Sequence, residues 1–346
     1  MTPQEVKLIP EITKVITFAA TSFIFSMAVT PIYTYFAYKF KWWKQISDTS
    51  SLSGGKEKTP VFYKLHKDKH KRHIPTMAGI IIWGVVGIIT LAFNLDRAQT
   101  YLLLFTLVSV GLLGLIDDYL NIRSTGGIAG VKSKFKFAWT LAIAGVGSWW
   151  FYAKLGWSVI HIPAYGDLNI GWLYIPLFIL VIVATANAVN ITDGLDGLSG
   201  GLLMGAFGAF ALIAFFQGNV GIAIFCATVV GAMLSYTWFN IFPARFFMGD
   251  TGAVALGATL GVIALLTNSV IVLPIIGFVF MAETLSVIVQ VFSKKIFKKK
   301  IFLSTPIHHH FEAKGWPETK VTMRFWIIGG VMATIGTIIG LLGRGI

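Results

Sequence analysis

Long apolar runs alternate with short polar clusters along this chain, and the clusters carry nearly all of its charge. Ten runs approach the length of a membrane crossing, at 15–38, 77–95, 100–116, 137–153, 172–188, 200–216, 220–240, 254–268, 271–293 and 325–342. About 20 apolar residues in a helix cross a hydrocarbon core of ~30 Å, so each run is predicted as a spanning helix. The breaks at 189–199 and 241–253 are the least obvious, being short and weakly charged. No fixed-period repeat divides the chain, and residues 1–346 are predicted as one all-α, polytopic membrane domain.

Ten crossings place both termini on one side of the bilayer. The loops 39–76, 117–136, 189–199, 241–253 and 294–324 then share the other side, and they hold 23 of the 28 Lys and Arg residues. Lys and Arg collect on cytoplasmic loops, so those five loops are assigned to the cytosol and both termini are extracytoplasmic.

Composition agrees with this picture and removes rivals. The chain is 55% hydrophobic and only 12% charged, too little polar surface for a soluble protein of this length. A formal net charge of +13 would otherwise suggest nucleic acid, but the loop asymmetry accounts for it and no nucleic-acid partner is expected. The opening MTPQEVKLIPEITK lacks the basic n-region and cleavage site of a signal peptide, so the first span is expected to be retained. The lone Cys226 falls inside a span and is expected to pack there, with no disulfide framework.

Against this background the cytosolic acids stand out. Asp117, Asp118, Asp193, Asp196 and Asp250 each lie at or beside a predicted helix end on the same face. Carboxylates so near hydrocarbon are costly unless they face protein or a wet cavity, so together they suggest a cationic centre. On the opposite side Asp96 and Asp167 have no companion motif. In "GLIDDYLN" (114–121) Asp117 and Asp118 point about 100° apart on a helix, so the two meet different partners. In "NAVNITDGLDGLSGG" (187–201) Asn187, Asn190, Asp193 and Asp196 recur every three residues, an oxygen-rich set suited to hard cations and to hydroxyl or amide groups. A turn rich in Asn, Asp and Gly is the plainer reading of that stretch.

"FFMGDTGAVALG" (246–257) sets Asp250 at a helix start, a place for a phosphate or for a simple N-cap. Phe246 and Phe247 offer a flat face for a base, or interface aromatics. Lys132, Lys134, Lys136, Lys64, Lys67, Lys69, Lys71 and Arg72 could neutralise phosphates or anionic lipid, and KKIFKKK (294–300) is expected at the lipid surface. Glu283, inside the ninth run, is either functional or bonded to a neighbouring helix.

Three histidines interrupt "TPIHHHFEAKGW" (305–316). A further span follows them, so they are no terminal tag. Consecutive imidazoles diverge, which argues against zinc. An extended segment would put His308 and His310 on one side and His309 on the other, their imidazoles donating to anionic oxygens. Hard oxygen ligands with nearby phosphate donors describe Mg²⁺, and the absence of a GxxxxGK[ST] loop argues against an ATPase.

The motifs "LIDDYLN", "NAVNITDGLDGLSGG", "FMGDTG" and "TPIHHHFEAKGWPETKV" resemble those of the phospho-N-acetylmuramoyl-pentapeptide transferases, the MraY family, over nearly the whole chain. The first three also resemble the wider polyprenyl-phosphate N-acetylhexosamine-1-phosphate transferases, and the histidine segment points to the narrower family. The resemblance implies a bacterial cytoplasmic-membrane enzyme that uses Mg²⁺, UDP-MurNAc-pentapeptide and undecaprenyl phosphate, makes lipid I and UMP for peptidoglycan synthesis, and allows a homodimer. Carried onto this sequence, it makes Asp250 the metal ligand with Asn190, and Asp117 and Asp118 the catalytic pair alongside Asp250. Asn187, Asn190, Asp193, Asp196 and Phe247 form the nucleotide side, with Phe247 stacking on uracil. Lys71 and Lys136 meet phosphates, and His308, His309 and His310 line the pyrophosphate or sugar end. Family members read close to GTPTMGG where this chain has "HIPTMAG" (73–79), a departure that bears on the backbone after Lys71. The rivals are a transferase for GlcNAc-1-phosphate and, from another class, a secondary transporter, whose site would lie near the bilayer midplane.

Overall fold

The computed structural model describes residues 3–43, 73–123 and 133–345. Its elements are α1 (Pro3–Lys39), α2 (Gly79–Phe93), α3 (Tyr101–Arg123), α4 (Ser133–Trp149), β1 (Val159–Ile162), β2 (Gly166–Asn169), α5 (Tyr174–Thr192), α6 (Leu198–Phe216), α7 (Val220–Asn240), α8 (Asp250–Leu266), α9 (Leu273–Ile276), α10 (Phe278–Ile296), α11 (Ile307–Ala313) and α12 (Glu318–Leu342). Six helices among the described residues are long and apolar enough to cross a membrane: α1, α3, α5, α6, α7 and α12. The apolar helices α2 and α8 are shorter.

Burial grades outward from α7 and α8. Every residue of α8 except Asp250 and Val254 is buried, whereas α1 buries only 17% of its most apolar window and turns Ile16, Ile24 and Ile32 outward. A soluble bundle would put its polar face outside. Here α10 does the reverse: Glu283, Ser286, Gln290 and Ser293 are buried while Leu285, Ile288, Phe292 and Ile296 are exposed. A helix with its polar stripe turned inward belongs in an apolar solvent.

Two features differ from the sequence-based expectation. The run 271–293 is not one helix, because the chain breaks at Gly277 between α9 and α10, just after Pro274 opens the short α9. The all-α expectation also misses an antiparallel hairpin, β1 with β2, that pairs Val159 with Asn169 and turns through Ala164 and Gly166 at positive φ. A four-residue strand carries too little alternation to register against the long runs around it. On that hairpin Asp167 sits 2.7 Å from His161 Nδ1, and Asp96 accepts the Ala98 and Gln99 N–H groups, so both acids away from the motif face have local structural roles.

Candidate active site

The centre forms where three helix ends meet. Asp117 and Asp118 lie in the last turns of α3, Asp250 is the first residue of α8, and Lys136 lies in the first turn of α4. One carboxylate oxygen from each acid lies within 4.8 Å of the others, a group that could hold a metal ion. The approach depends on glycine. A Cβ built on Gly114 of α3 would sit 2.6 Å from the Asp250 carbonyl carbon and 2.7 Å from Thr251 Cα, so only a bare Cα lets α3 and α8 touch there. Gly79 is tight in the same way, its virtual Cβ 2.8 Å from the Thr251 carbonyl carbon.

The two neighbouring aspartates do diverge. Asp117 accepts from Lys136 Nζ at 2.8 Å and from Asn121 Nδ2 at 3.0 Å. Asp118 turns the other way and accepts from the Thr251 N–H at 3.0 Å and the Thr251 hydroxyl at 2.7 Å. It thus caps α8 from a different helix, satisfying an N–H that the first turn leaves without an intrahelical partner. Thr251 carried no signal of its own in the sequence beyond its place after Asp250.

Lys136 Nζ also reaches Asp250 Oδ2 at 2.8 Å, so one ammonium bridges two carboxylates. Burial by itself would lower the lysine, but Asp250 and Asp117 outweigh it and hold the ammonium above its ordinary value. Asp117 and Asp118 are fully buried, and Lys136 keeps 31% of its side chain exposed. The side chains of Lys71, Lys132 and Lys134 lie outside the described residues.

The helix α5 carries the second part of the site to the same end of the bundle. A Cβ on Gly261 would meet Thr185 Oγ1, and one on Gly257 would meet Ala186 Cα and Val189 Cβ, so α5 and α8 run antiparallel. Continuing that register places Asp250 level with the turn that follows α5 at Thr192, with Asn190 about one turn earlier on the helix. The three-residue series does not stay on one face, because α5 ends at Thr192. Asn187 is exposed and bonds back to the Val183 carbonyl. Asn190 is half-buried, and Asp193 accepts the Ser199 hydroxyl at 2.5 Å. Asp196 is 2% exposed: its carboxylate takes the Ala244 N–H at 3.0 Å and its own N–H donates to Glu318. That geometry makes Asp196 a brace between α12 and the segment before α8.

The departure at 73–79 is absorbed locally. Its backbone pairs with the stretch before Asp250: Phe247 N–H donates to Pro75 O at 2.8 Å, and the Ala78 and Gly79 N–H groups donate to Phe247 and Met248 carbonyls at 3.0 Å. Ala78 has φ −64°, open to any residue, so the methyl costs nothing there. His73 adopts φ 47° where the related pattern has glycine, and its ring packs 5.1 Å from Trp43. Phe247 is half-buried. Phe246 offers no open face, being 1% exposed among Tyr33, Tyr236 and Phe239.

The histidine segment is not extended. Residues 307–313 form α11, so His308 and His309 lie together and His310 is turned away. The His308 and His309 ring centroids are 4.0 Å apart, with Nδ1 of His308 3.0 Å from Glu283 Oε2 and Nδ1 of His309 2.6 Å from Glu312 Oε2. His310 Nδ1 accepts the Leu303 N–H at 3.1 Å, and burial, with Lys314 nearby, lowers its pKa and keeps it neutral for that bond.

The chain is also similar to known proteins. The glycosyl transferase family 4 model matches residues 100–268, which hold the two aspartates of α3, the α5 turn and Asp250. A phospho-N-acetylmuramoyl-pentapeptide-transferase of Geobacillus sp. (strain WCH70) is 40% identical over 321 residues, 91% of this chain and 94% of that protein. That of Anoxybacillus flavithermus (strain DSM 21510 / WK1) is 41% identical over 329 residues, 93% of this chain and 97% of its own length. The Bacillus mycoides (strain KBAB4) protein is 39% identical over 328 residues, again 93% and 97%. Identity at this level along almost the full length of both partners, around a buried acidic centre at the ends of apolar helices, shows that the chain belongs to the phospho-N-acetylmuramoyl-pentapeptide transferase family.

Proposed function

We propose that this protein transfers phospho-MurNAc-pentapeptide from UDP-MurNAc-pentapeptide to undecaprenyl phosphate, yielding lipid I and UMP for peptidoglycan synthesis in the bacterial cytoplasmic membrane. The observation that carries the proposal is the meeting of Asp117, Asp118 and Asp250 at the ends of apolar helices, with Lys136 bridging Asp117 and Asp250. A hydrophilic donor and a lipid acceptor can both reach such a place, one from the cytosol and one from the bilayer. Ten crossings, with the site on the cytosolic face and both termini outside, fit the 23 of 28 basic residues on that face. Acids at helix ends, rather than at mid-helix, also argue against a transporter.

The donor set suits Mg²⁺. It is all oxygen, and the structure already holds one cationic group 2.8 Å from two carboxylates. Mg²⁺ binds through one or two carboxylates plus substrate phosphates, so Asp250, with Asn190, would hold it. When bound, the ion supplies charge neutralisation across the phosphates.

The chain's own groups divide the remaining work. Lys136, part-exposed on a flexible stem, leaves Asp117 for an incoming phosphate, and Asp117 then takes the remaining proton of the lipid phosphate. That phosphate oxygen forms a new bond to the sugar-bearing phosphorus while the bridging bond of the diphosphate breaks, and UMP departs with the electron pair. Asp118, held by two donors from Thr251, fixes the start of α8 and with it Asp250. The Asp193 turn and Phe247 receive the uridine, with Lys71 on its phosphates and the histidine helix near the sugar end. Phosphoryl transfer asks a protein mostly for such positioning and charge stabilisation.

The test is UMP release by purified protein given undecaprenyl phosphate and either UDP-MurNAc-pentapeptide or UDP-GlcNAc. Turnover only with UDP-MurNAc-pentapeptide, abolished in Asp117→Asn and Asp250→Asn proteins that remain folded, is expected. Turnover only with UDP-GlcNAc refutes the substrate assignment, and Mg²⁺-dependent turnover near wild type in Asp250→Asn refutes the metal assignment.

A further inference from the structure

Glu283, in the second turn of α10, has no exposed surface, and neither has His308 at the start of α11. Oε2 of Glu283 faces two groups of His308: Nδ1 at 3.0 Å and the backbone N–H at 3.5 Å. A backbone N–H can only donate, so this oxygen accepts from it, and with Glu283 ionised the bond to the ring requires the proton on Nδ1. The other imidazole nitrogen, Nε2, is buried with no hydrogen-bond partner among the described residues, and so is Glu283 Oε1. A buried pair with two unmet polar atoms does not serve folding well, and an apolar pair of the same shape would hold α10 to α11 at lower cost.

What Nε2 touches explains its presence. A Cβ on Gly194 would lie 2.6 Å from His308 Nε2, 3.1 Å from its Cε1 and 3.5 Å from His309 Nε2. Gly194 is exposed on its other side and opens the turn between Asp193 and Asp196. The imidazole edge is therefore the floor under that turn, and its tilt sets how high the turn stands.

We propose that Glu283 is a positioning residue of the transferase site: by taking the Nδ1 proton of His308 it fixes the ring as the platform on which the Asp193–Asp196 turn rests. The inference builds on the reading of that turn as the uridine side. It gives His308 a supporting role in place of direct donation to substrate. The titratable groups on the elements packed around the ring are Glu283 on α10, His309, His310 and Glu312 on α11, Asp193 and Asp196 beside Gly194, and Glu318, Lys320 and Arg324 at the start of α12. Glu283 is bonded to His308 at Nδ1 and at the backbone N–H. Glutamine in its place can turn its amide toward Nδ1, which removes the preference for one tautomer and one tilt.

The experiment compares wild type, Glu283→Gln, His308→Asn and the double variant for UMP affinity by calorimetry and for KM and kcat in transfer. Glu283→Gln is expected to weaken UMP binding and raise KM for the nucleotide substrate by about tenfold or more, with kcat changed less, the range seen when a group that orients a ligand is removed. The double variant should bind UMP no worse than His308→Asn alone, because both act through one ring. Additive losses, or UMP affinity unchanged in Glu283→Gln, overturn the inference. ¹⁵N-histidine spectra of the wild type decide independently of any variant's folding: the signals absent from His308→Asn must report a proton on Nδ1, and a proton on Nε2 alone overturns it. Wild type that neither binds UMP nor transfers would instead sink the functional reading itself.

Discussion

Gly114→Ala tests whether the helix crossing sets the chemistry. The added methyl would lie 2.6 Å from the Asp250 carbonyl carbon and 2.7 Å from Thr251 Cα, both backbone atoms that no rotamer change can move. Carbon atoms pack at ~3.5 Å or more, so α3 and α8 must part by about 1 Å at this level. Overpacking of this kind costs about 1–3 kcal/mol, which a bundle with α8 so deeply buried can survive. The catalytic cost is larger, because Asp117 and Asp118 ride on α3 and Asp250 on α8: a displacement of ~1 Å between reacting groups costs on the order of 100-fold in rate. UMP release by purified Gly114→Ala protein, matched to wild type for thermal stability and extraction, measures it. Gly84→Ala is the control, since its Cβ meets nothing within 4 Å. Activity of Gly114→Ala within about threefold of wild type, with the protein folded, would show that the α3–α8 spacing does not govern the reaction.

Substitutions at two other positions separate roles that the sequence ran together. Lys136→Met leaves the buried Asp117 beside Asp250 with their bridging cation gone; turnover should fall by at least ~100-fold, and the melting temperature should drop without Mg²⁺ and recover when Mg²⁺ is added, by linkage. A melting temperature indifferent to Mg²⁺ in that variant would contradict a shared cation site. Asp196→Ala abandons the buried Ala244 N–H at a cost of about 1–3 kcal/mol, whereas Asp196→Asn keeps an acceptor. Thermal unfolding should therefore separate Ala from Asn at this position, and equal stability of the two would mean the brace is not formed.

How much was legible in the sequence follows from which forces are local. Apolar runs are local, so helices fall on all the expected runs, and the 3.6-residue period is enough to say that Asp117 and Asp118 must point apart. Motif spacing is local too, and with it the family. Registers that cross a helix end are not. Asn187 to Asp196 keep step only while α5 lasts; beyond Thr192 the chain turns and Asp196 drops beneath the surface. The short α11 is unreadable because seven residues give periodicity no length to build on. The break at Gly277 is hidden for a related reason, since the residues on both sides of it, 271–276 and 278–282, are apolar.

Sequence by itself thus determined the solvent this chain lives in, the helices it makes and the kind of groups gathered at their ends, because each follows from neighbours along the chain. Tertiary structure alone decided that, among the many lysines, Lys136 bridges Asp117 and Asp250, that Asp118 caps α8, and that Glu283 reaches His308. Those pairings depend on where elements meet, and the meetings are set by bare glycine surfaces such as Gly114 on α3 and Gly194 in the turn after α5, whose meaning lies in what packs against them.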